Sequence, residues 1–263
     1  TVQYGKNLQA MVVAFNTVGA ASINRTHEIL SSVFNIPLAT GTIKNMVTRC
    51  AESLKDTYEQ IRLKMITLGL IHCDETGSRV DGKTCWVHVA SDQNYTYLTI
   101  NQKRGQAGMD AANVLPHANG IIMHDCWSSY WKYQNVTHAI CCAHLLRELN
   151  GVIENHPEQT WAVRFKKLLL DMKKVRDKAL LLDKDEVSYY HRHKFDMEYD
   201  SIIKTAYGEN PFPETPAKKR GRTKKSKVLN LICRLYNYKE SVCLFIKNLC
   251  VPFDNNQAER DLK

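Results

Sequence analysis

Leu70-Ile71-His72-Cys73-Asp74 is a short apolar run that ends on an acid. It reads as a β-strand, and the texture of the chain changes around it: helical spacing before residue 68, strand-like alternation after it. Downstream, residues 83–90 and 95–101 are rich in β-branched and aromatic side chains. Asp81-Gly82 and Gln93-Asn94 stand between these runs as turn residues, which predicts an antiparallel meander of three strands. A helix is expected over 108–115. Gly120-Ile121-Ile122-Met123-His124-Asp125 is then apolar throughout, as a strand buried on both faces must be, and it too ends on an acid. Residues 136–141 give a fifth strand and 142–151 a helix.

Farther along, residues 158–207 are helical and charged, 211–216 are a Pro-rich linker, and 228–249 return to helix. Then comes Val251-Pro252-Phe253-Asp254-Asn255-Asn256-Gln257-Ala258-Glu259-Arg260. Pro252 stops what precedes it, Asp254 or Asn255 is a good N-cap, and Asn256 and Glu259 fall on one face of the helix that follows. The order βββαβαβα, with acids closing the first and fourth strands and a third acid on a late helix, describes an α/β fold of the ribonuclease-H-like kind. It comprises a mixed five-stranded sheet with flanking helices. The expected organisation is a helical region over 1–67, a core over 68–157, a helical insertion over 158–250, and the start of the last core helix over 251–263.

The 263 residues are 44% apolar, enough for a sizeable core. No run approaches the roughly 18 uncharged apolar residues of a membrane span, and no signal peptide is visible, so a soluble protein is expected. Nine cysteines without an export signal read as cytoplasmic thiols. The net charge of +9 favours a polyanionic partner, most simply nucleic acid. The chain starts on Thr1 and its last helix has barely begun at Lys263, so both ends read as truncated. Near the start, Leu8, Met11, Val12, Phe15 and Val18 recur at helical spacing. Ser22 caps a helix over 23–34, and Asn35-Ile36-Pro37 breaks it. A long third helix then carries Ile43, Met46, Val47, Cys50, Leu54, Tyr58, Ile61 and Met65. With Lys44 and Arg49 exposed, this resembles a helix-turn-helix that reads DNA, and an ordinary helical hairpin fits the same residues equally well.

Three carboxylates converging from two strands and a helix suit one chemistry in particular. Phosphodiester cleavage without a covalent intermediate needs a strong oxygen nucleophile and relief for the leaving oxygen, which two divalent cations about 4 Å apart supply. Hard oxygen ligands suit Mg²⁺. The sequence resembles the IS66-type DDE transposases over almost its whole length. The matching strings are His72-Cys73-Asp74-Glu75-Thr76-Gly77, His124-Asp125-Cys126-Trp127-Ser128-Ser129-Tyr130, Cys142-Ala143-His144-Leu145-Leu146-Arg147-Glu148-Leu149, Lys219-Arg220-Gly221-Arg222, and Val251-Pro252-Phe253 through Arg260. That resemblance implies a core that cuts DNA at the ends of an insertion sequence and joins them to target DNA. Asp74, Asp125 and Glu259 would be the catalytic acids and metal ligands, using Mg²⁺ with Mn²⁺ able to substitute. The implied partner is double-stranded DNA, bound as a homodimer, in a prokaryotic cytoplasm at the nucleoid. A remnant that binds DNA without cutting it, and a nuclease or resolvase that cuts without joining, are the alternatives.

The remaining signals are read against that centre. Glu75 is a ligand only if the strand has already turned, because otherwise it faces away from Asp74. His72 shares Asp74's face and is expected, with Asn256, His144 and Arg147, to support the acids. His124 should be a hydrogen-bonded core histidine. Cys141, Cys142 and His144 suggest zinc, but no second Cys/His pair stands nearby at a zinc-site spacing, so a helix start fits them better. Residues 218–227 carry seven positive charges and no acid. Lys219, Arg220, Arg222, Lys224 and Lys225 are therefore expected on DNA phosphates. Trp127 and Trp131 are read as core, with base stacking open to an exposed one.

Overall fold

The computed structural model describes residues 4–213 and 224–262. Two compact units divide the chain, Thr1–Arg62 and Leu63–Lys263. In the first, α1 (Lys6–Asn16), α2 (Ile23–Phe34) and α3 (Thr40–Ser53) bury Val12, Leu30, Leu38, Ile43 and Met46. Ser22 caps α2 by accepting from the Arg25 N–H, and Asn35 ends it in the left-handed region at φ 53°. The long third helix expected from the sequence is broken. It stops at Ser53, whose hydroxyl bonds back to the Cys50 carbonyl, and α4 (Lys55–Ile66) starts afresh after Leu54.

In the second unit, β1 (Leu70–Val80), β2 (Lys83–Ser91), β3 (Thr96–Asn101), β4 (Ile121–His124) and β5 (Thr137–Ile140) form one sheet in the order β3-β2-β1-β4-β5. The β1–β2 and β2–β3 pairs are antiparallel, and β1–β4 and β4–β5 are parallel. This is the mixed α/β architecture of the ribonuclease-H-like fold. Asp81 and Gly82, at φ 50° and 75°, make the two-residue turn that closes the first hairpin on the Val80–Lys83 pair. That pairing carries β1 six residues past Asp74, so the acid lies within the strand instead of ending it. The following helix, α5 (Gln106–Ala111), is earlier and shorter than the 108–115 expected, because Asn113 turns left-handed at φ 55°.

β4 is a buried interior strand between β1 and β5, with Ile122 and Met123 wholly inaccessible. Gly120 brings the chain into it so close to its neighbour that a Cβ there would stand 2.5 Å from the Leu68 carbonyl oxygen. After β5 come α6 (Cys142–Asn155), α7 (Thr160–Leu181) and α8 (Tyr189–Glu209), then α9 (Lys227–Asn237), two single turns α10 (Lys239–Val242) and α11 (Leu244–Lys247), and finally α12 (Asn256–Asp261). The single helix expected over 228–249 is thus in three pieces, with breaks at Tyr238 and Cys243. These helices share one core with the sheet: Met123, Ala139 and Ile140 belong to the same cluster as Trp161, Phe165, Tyr199, Ile232, Phe245 and Phe253. All nine cysteines are free thiols, and among the described residues no helix is long and apolar enough to cross a membrane.

Gly120→Ala should destabilise the second unit by about 1–3 kcal/mol, since its contact is rigid backbone that has no rotamer to yield. Chemical denaturation followed by tryptophan fluorescence measures it.

Candidate active site

The parallel register of β1 and β4 pairs Leu70 with Ile121, Ile71 with Ile122 and His72 with Met123. Carried on by two residues, that register sets Asp74 level with Asp125. Asp74 is half-buried and its Oδ1 accepts from the Glu75 N–H at 2.9 Å. Asp125 leaves the strand into a sharp turn, in which Cys126 adopts φ 72° and the Trp127 N–H donates to Asp125 Oδ1 at 2.9 Å. A left-handed cysteine costs roughly 1–3 kcal/mol unless its surroundings impose it. Here the Cys126 N–H donates to the buried His124 Nδ1 at 3.1 Å, which helps to hold the turn.

Burial is the first cause that raises the Asp74 carboxyl above its ordinary range; the charges of Asp125 and Glu259 push the same way, while the Glu75 N–H and His144 oppose them. Asp74 therefore feels the charge of both other acids. Glu259 comes from α12, where its Oε1 takes Arg147 Nη2 at 3.2 Å and lies 3.9 Å from His144 Nε2. Beside Asp125 a cleft of about 540 Å³ is lined by Trp127, Ser128, His144, Arg147, Glu148 and Arg234. Arg234, which the sequence reading did not single out, reaches it from α9 and pairs with Glu148.

Asn255 positions α12. It is 1% exposed, its Nδ2 donates to the Cys73 carbonyl at 2.8 Å, and its backbone N–H donates to Cys141 Sγ at 3.2 Å. Its Oδ1 lies 2.8 Å from His72 Nδ1. Because the amide nitrogen already serves Cys73, Oδ1 is the acceptor and His72 carries its proton on Nδ1. His72 thus braces Asn255, not Asp74 as expected. Burial lowers its basicity first of all, the Asn255 bond acting against that, so the ring is neutral at pH 7. Asn256 is exposed and lines, with His72, Asp254 and Arg260, a separate cavity of about 720 Å³ that none of the three acids borders.

Glu75 lies on the opposite face of the sheet, since β1 continues through it. Its carboxylate takes Tyr130 Oη at 2.7 Å on one oxygen and Arg104 at 3.1 and 2.8 Å on the other. Burial, outweighing both donors, lifts it to about 6. The Arg104 guanidinium is held between the rings of Trp86 and Trp127, at 4.8 and 4.3 Å from their centroids. Arg104 gives no signal in the sequence; it is one more basic residue after a strand. His124, buried and 3.0 Å from His138, is a core histidine as expected.

Of the basic run, Lys219, Arg220 and Arg222 lie outside the described residues. Lys224 is exposed. Lys225 turns back on the protein, donating to Cys233 Sγ at 3.0 Å and lying 4.9 Å from the Phe212 ring. Among the described residues, Cys141, His144 and Glu259 bring a thiol, an imidazole and a carboxylate all within 4.8 Å of one another.

The sheet order, with its two level acids at the carboxyl ends of β4 and mid-β1, defines a protein of the ribonuclease-H-like class. The family model described as "Transposase IS66 family" matches residues 1–263, and the chain belongs to that family of transposases. No curated protein matches the chain in sequence.

Asp74 holds a proton in the folded chain at pH values where the unfolded chain has lost it. Stability should therefore fall as pH rises from the ordinary 3.8 through the folded value, and stay lower above it. Asp74→Asn, with no added metal, should melt higher than the wild type at pH 7. The gain should shrink as pH is lowered toward 3.8. Thermal melts across pH test this; a variant that melts lower at pH 7 would contradict it.

Proposed function

We propose that the chain cleaves DNA strands at the ends of an insertion sequence and joins them to target DNA, with Asp74, Asp125 and Glu259 as the catalytic carboxylates. The observation that carries this reading is the level pair Asp74 and Asp125 on adjacent parallel strands. The mutual repulsion felt at Asp74 supports it further. An all-oxygen set of three acids, one of them protonation-prone through burial and like charge, fits hard divalent cations such as Mg²⁺, with Mn²⁺ as a substitute. When bound, such ions activate the attacking oxygen and stabilise the leaving one.

The protein's own groups do the rest. The Trp127 N–H and the Glu75 N–H each leave one oxygen of Asp125 and Asp74 free to ligate. Arg147 pairs with Glu259 and directs it, and with Arg234 it sets two guanidinium groups on the wall of the cleft beside Asp125, where they can donate to a DNA phosphate. His144 stands at the same cleft wall. The six charges of residues 218–227 other than Lys225 would add contacts that track the DNA backbone without reading bases.

Asp125→Asn should abolish cleavage and strand transfer and weaken the thermal stabilisation given by Mg²⁺, while DNA affinity stays nearly unchanged. Cleavage and joining are scored separately on DNA carrying the element ends. Cleavage that survives the substitution would overturn the assignment, and cleavage without joining would mark a nuclease or resolvase.

Neutralising Lys219 and Arg222 to Gln should weaken binding to all duplexes alike and lower the salt slope by about 2. Fluorescence anisotropy at several salt concentrations measures it; a loss confined to one sequence would count against phosphate contact.

A further inference from the structure

The thiol–imidazole–carboxylate set at the start of α6 is unlike the hard oxygen centre beside it. Cys141 is the residue at which β5 gives way to α6, and His144 is one turn along on the same helix. Glu259 arrives from α12, 115 residues beyond His144, and is held in place by the Asn255 clamp. The donor atoms already lie within 4.8 Å of one another. Ligand atoms around a tetrahedral zinc stand roughly 3.3–3.8 Å apart, from bonds of about 2.0–2.3 Å, so closure needs only about an ångström of side-chain movement.

Two further observations favour a ligand here. Cys141 is wholly inaccessible, yet its sulfur receives the Asn255 backbone N–H, the kind of donor that supports a metal-bound thiolate. Glu259 keeps its Oε1 beside His144 while Arg147 approaches from outside. The sequence alone argued against zinc because no second Cys/His pair was near. The third ligand is instead a carboxylate that folding brings in.

We propose that Cys141, His144 and Glu259 form a binding site for a thiophilic divalent cation of the zinc class, with the fourth position open to water. A sulfur–nitrogen–oxygen set of this kind selects zinc, cobalt or cadmium over magnesium. Because Glu259 is shared, occupation of this site withdraws the third carboxylate from Asp74 and Asp125. For that effect on cleavage, and only for it, the proposal rests on the function proposed above. The site would make strand cleavage sensitive to free zinc.

Co²⁺ titration of the full chain tests the site directly. Wild type should develop the intense visible bands of a four-coordinate site together with a sulfur-to-cobalt charge-transfer band. The same signals should appear in Cys250→Ser, which removes the exposed thiol. Cys141→Ser should lose the charge-transfer band, and Glu259→Gln, altered at a partly exposed side chain, should keep the fold and bind at least about tenfold more weakly. Spectra unchanged in both variants, or bands lost in Cys250→Ser instead, would overturn the site. In parallel, Zn²⁺ added at fixed Mg²⁺ should inhibit wild-type cleavage, each protein being scored against its own zinc-free rate. Cys141→Ser should resist that inhibition by at least about tenfold. Equal inhibition of both would overturn the sharing of Glu259. If no cleavage is seen with any metal, the functional reading fails while the cobalt spectra still decide the site.

Discussion

A single buried amide holds the last helix to the sheet. Asn255 sits among β1, the start of α6 and α12, with its nitrogen on the Cys73 carbonyl, its oxygen on His72 and its backbone N–H on Cys141. A paired amide in a dry site is tolerated, but an unpaired one there costs on the order of 1–3 kcal/mol per lost partner. The segment entering α12 therefore has one low-energy seating. The backbone bond from the Cys142 N–H to the Phe253 carbonyl at 3.0 Å fixes the same segment from the other side. Glu259 is displayed four residues later on a helix of only six, too short to be stable unaided. Its direction is thus inherited from Asn255.

The helices between β5 and α12 serve that seating as well. Their apolar faces are continuous with the sheet's core, and Arg176, 9% exposed, reaches from α7 to donate to the Leu249 carbonyl at 3.0 Å just before Val251. Trp131 stacks on Tyr238 at 3.7 Å with the rings 8° apart, which joins the loop after Asp125 to the break between α9 and α10. Arg234 is one turn before that break and so arrives beside Asp125. The broken helix explains the placement: an unbroken one over 228–249 would have had no reason to turn there.

The strand order was legible because a buried parallel strand must be apolar throughout and the hairpin turn needs Asp-Gly, although the acid expected to end the first strand lies within it. Period and turn chemistry are local properties. The length of β1 was not legible, because Thr76 to Val80 are exposed and earn their strand state from pairing with β2 alone. Nor could spacing show that His72 and Asn256 serve the far side of α12. Helical and strand periods sort residues by face but do not say which partner occupies that face. Arg104 and Arg234 were invisible for the same reason: each matters through one long-range contact, and a lone arginine carries no pattern. The Cys141–His144 pair was visible, whereas its carboxylate partner comes from 115 residues away and could be paired with it only in three dimensions.

Arg104 has a mechanical consequence. Its cation is clasped by Trp86 on β2 and by Trp127 in the loop that orients Asp125, and it is bolted to Glu75 in the middle of β1. The hairpin of β1 and β2 projects beyond these contacts, exposed from Thr76 to Thr84. That projection is a lever, and Arg104 is its fulcrum. One guanidinium thus ties the exposed hairpin to the loop whose Trp127 N–H holds the Asp125 carboxylate.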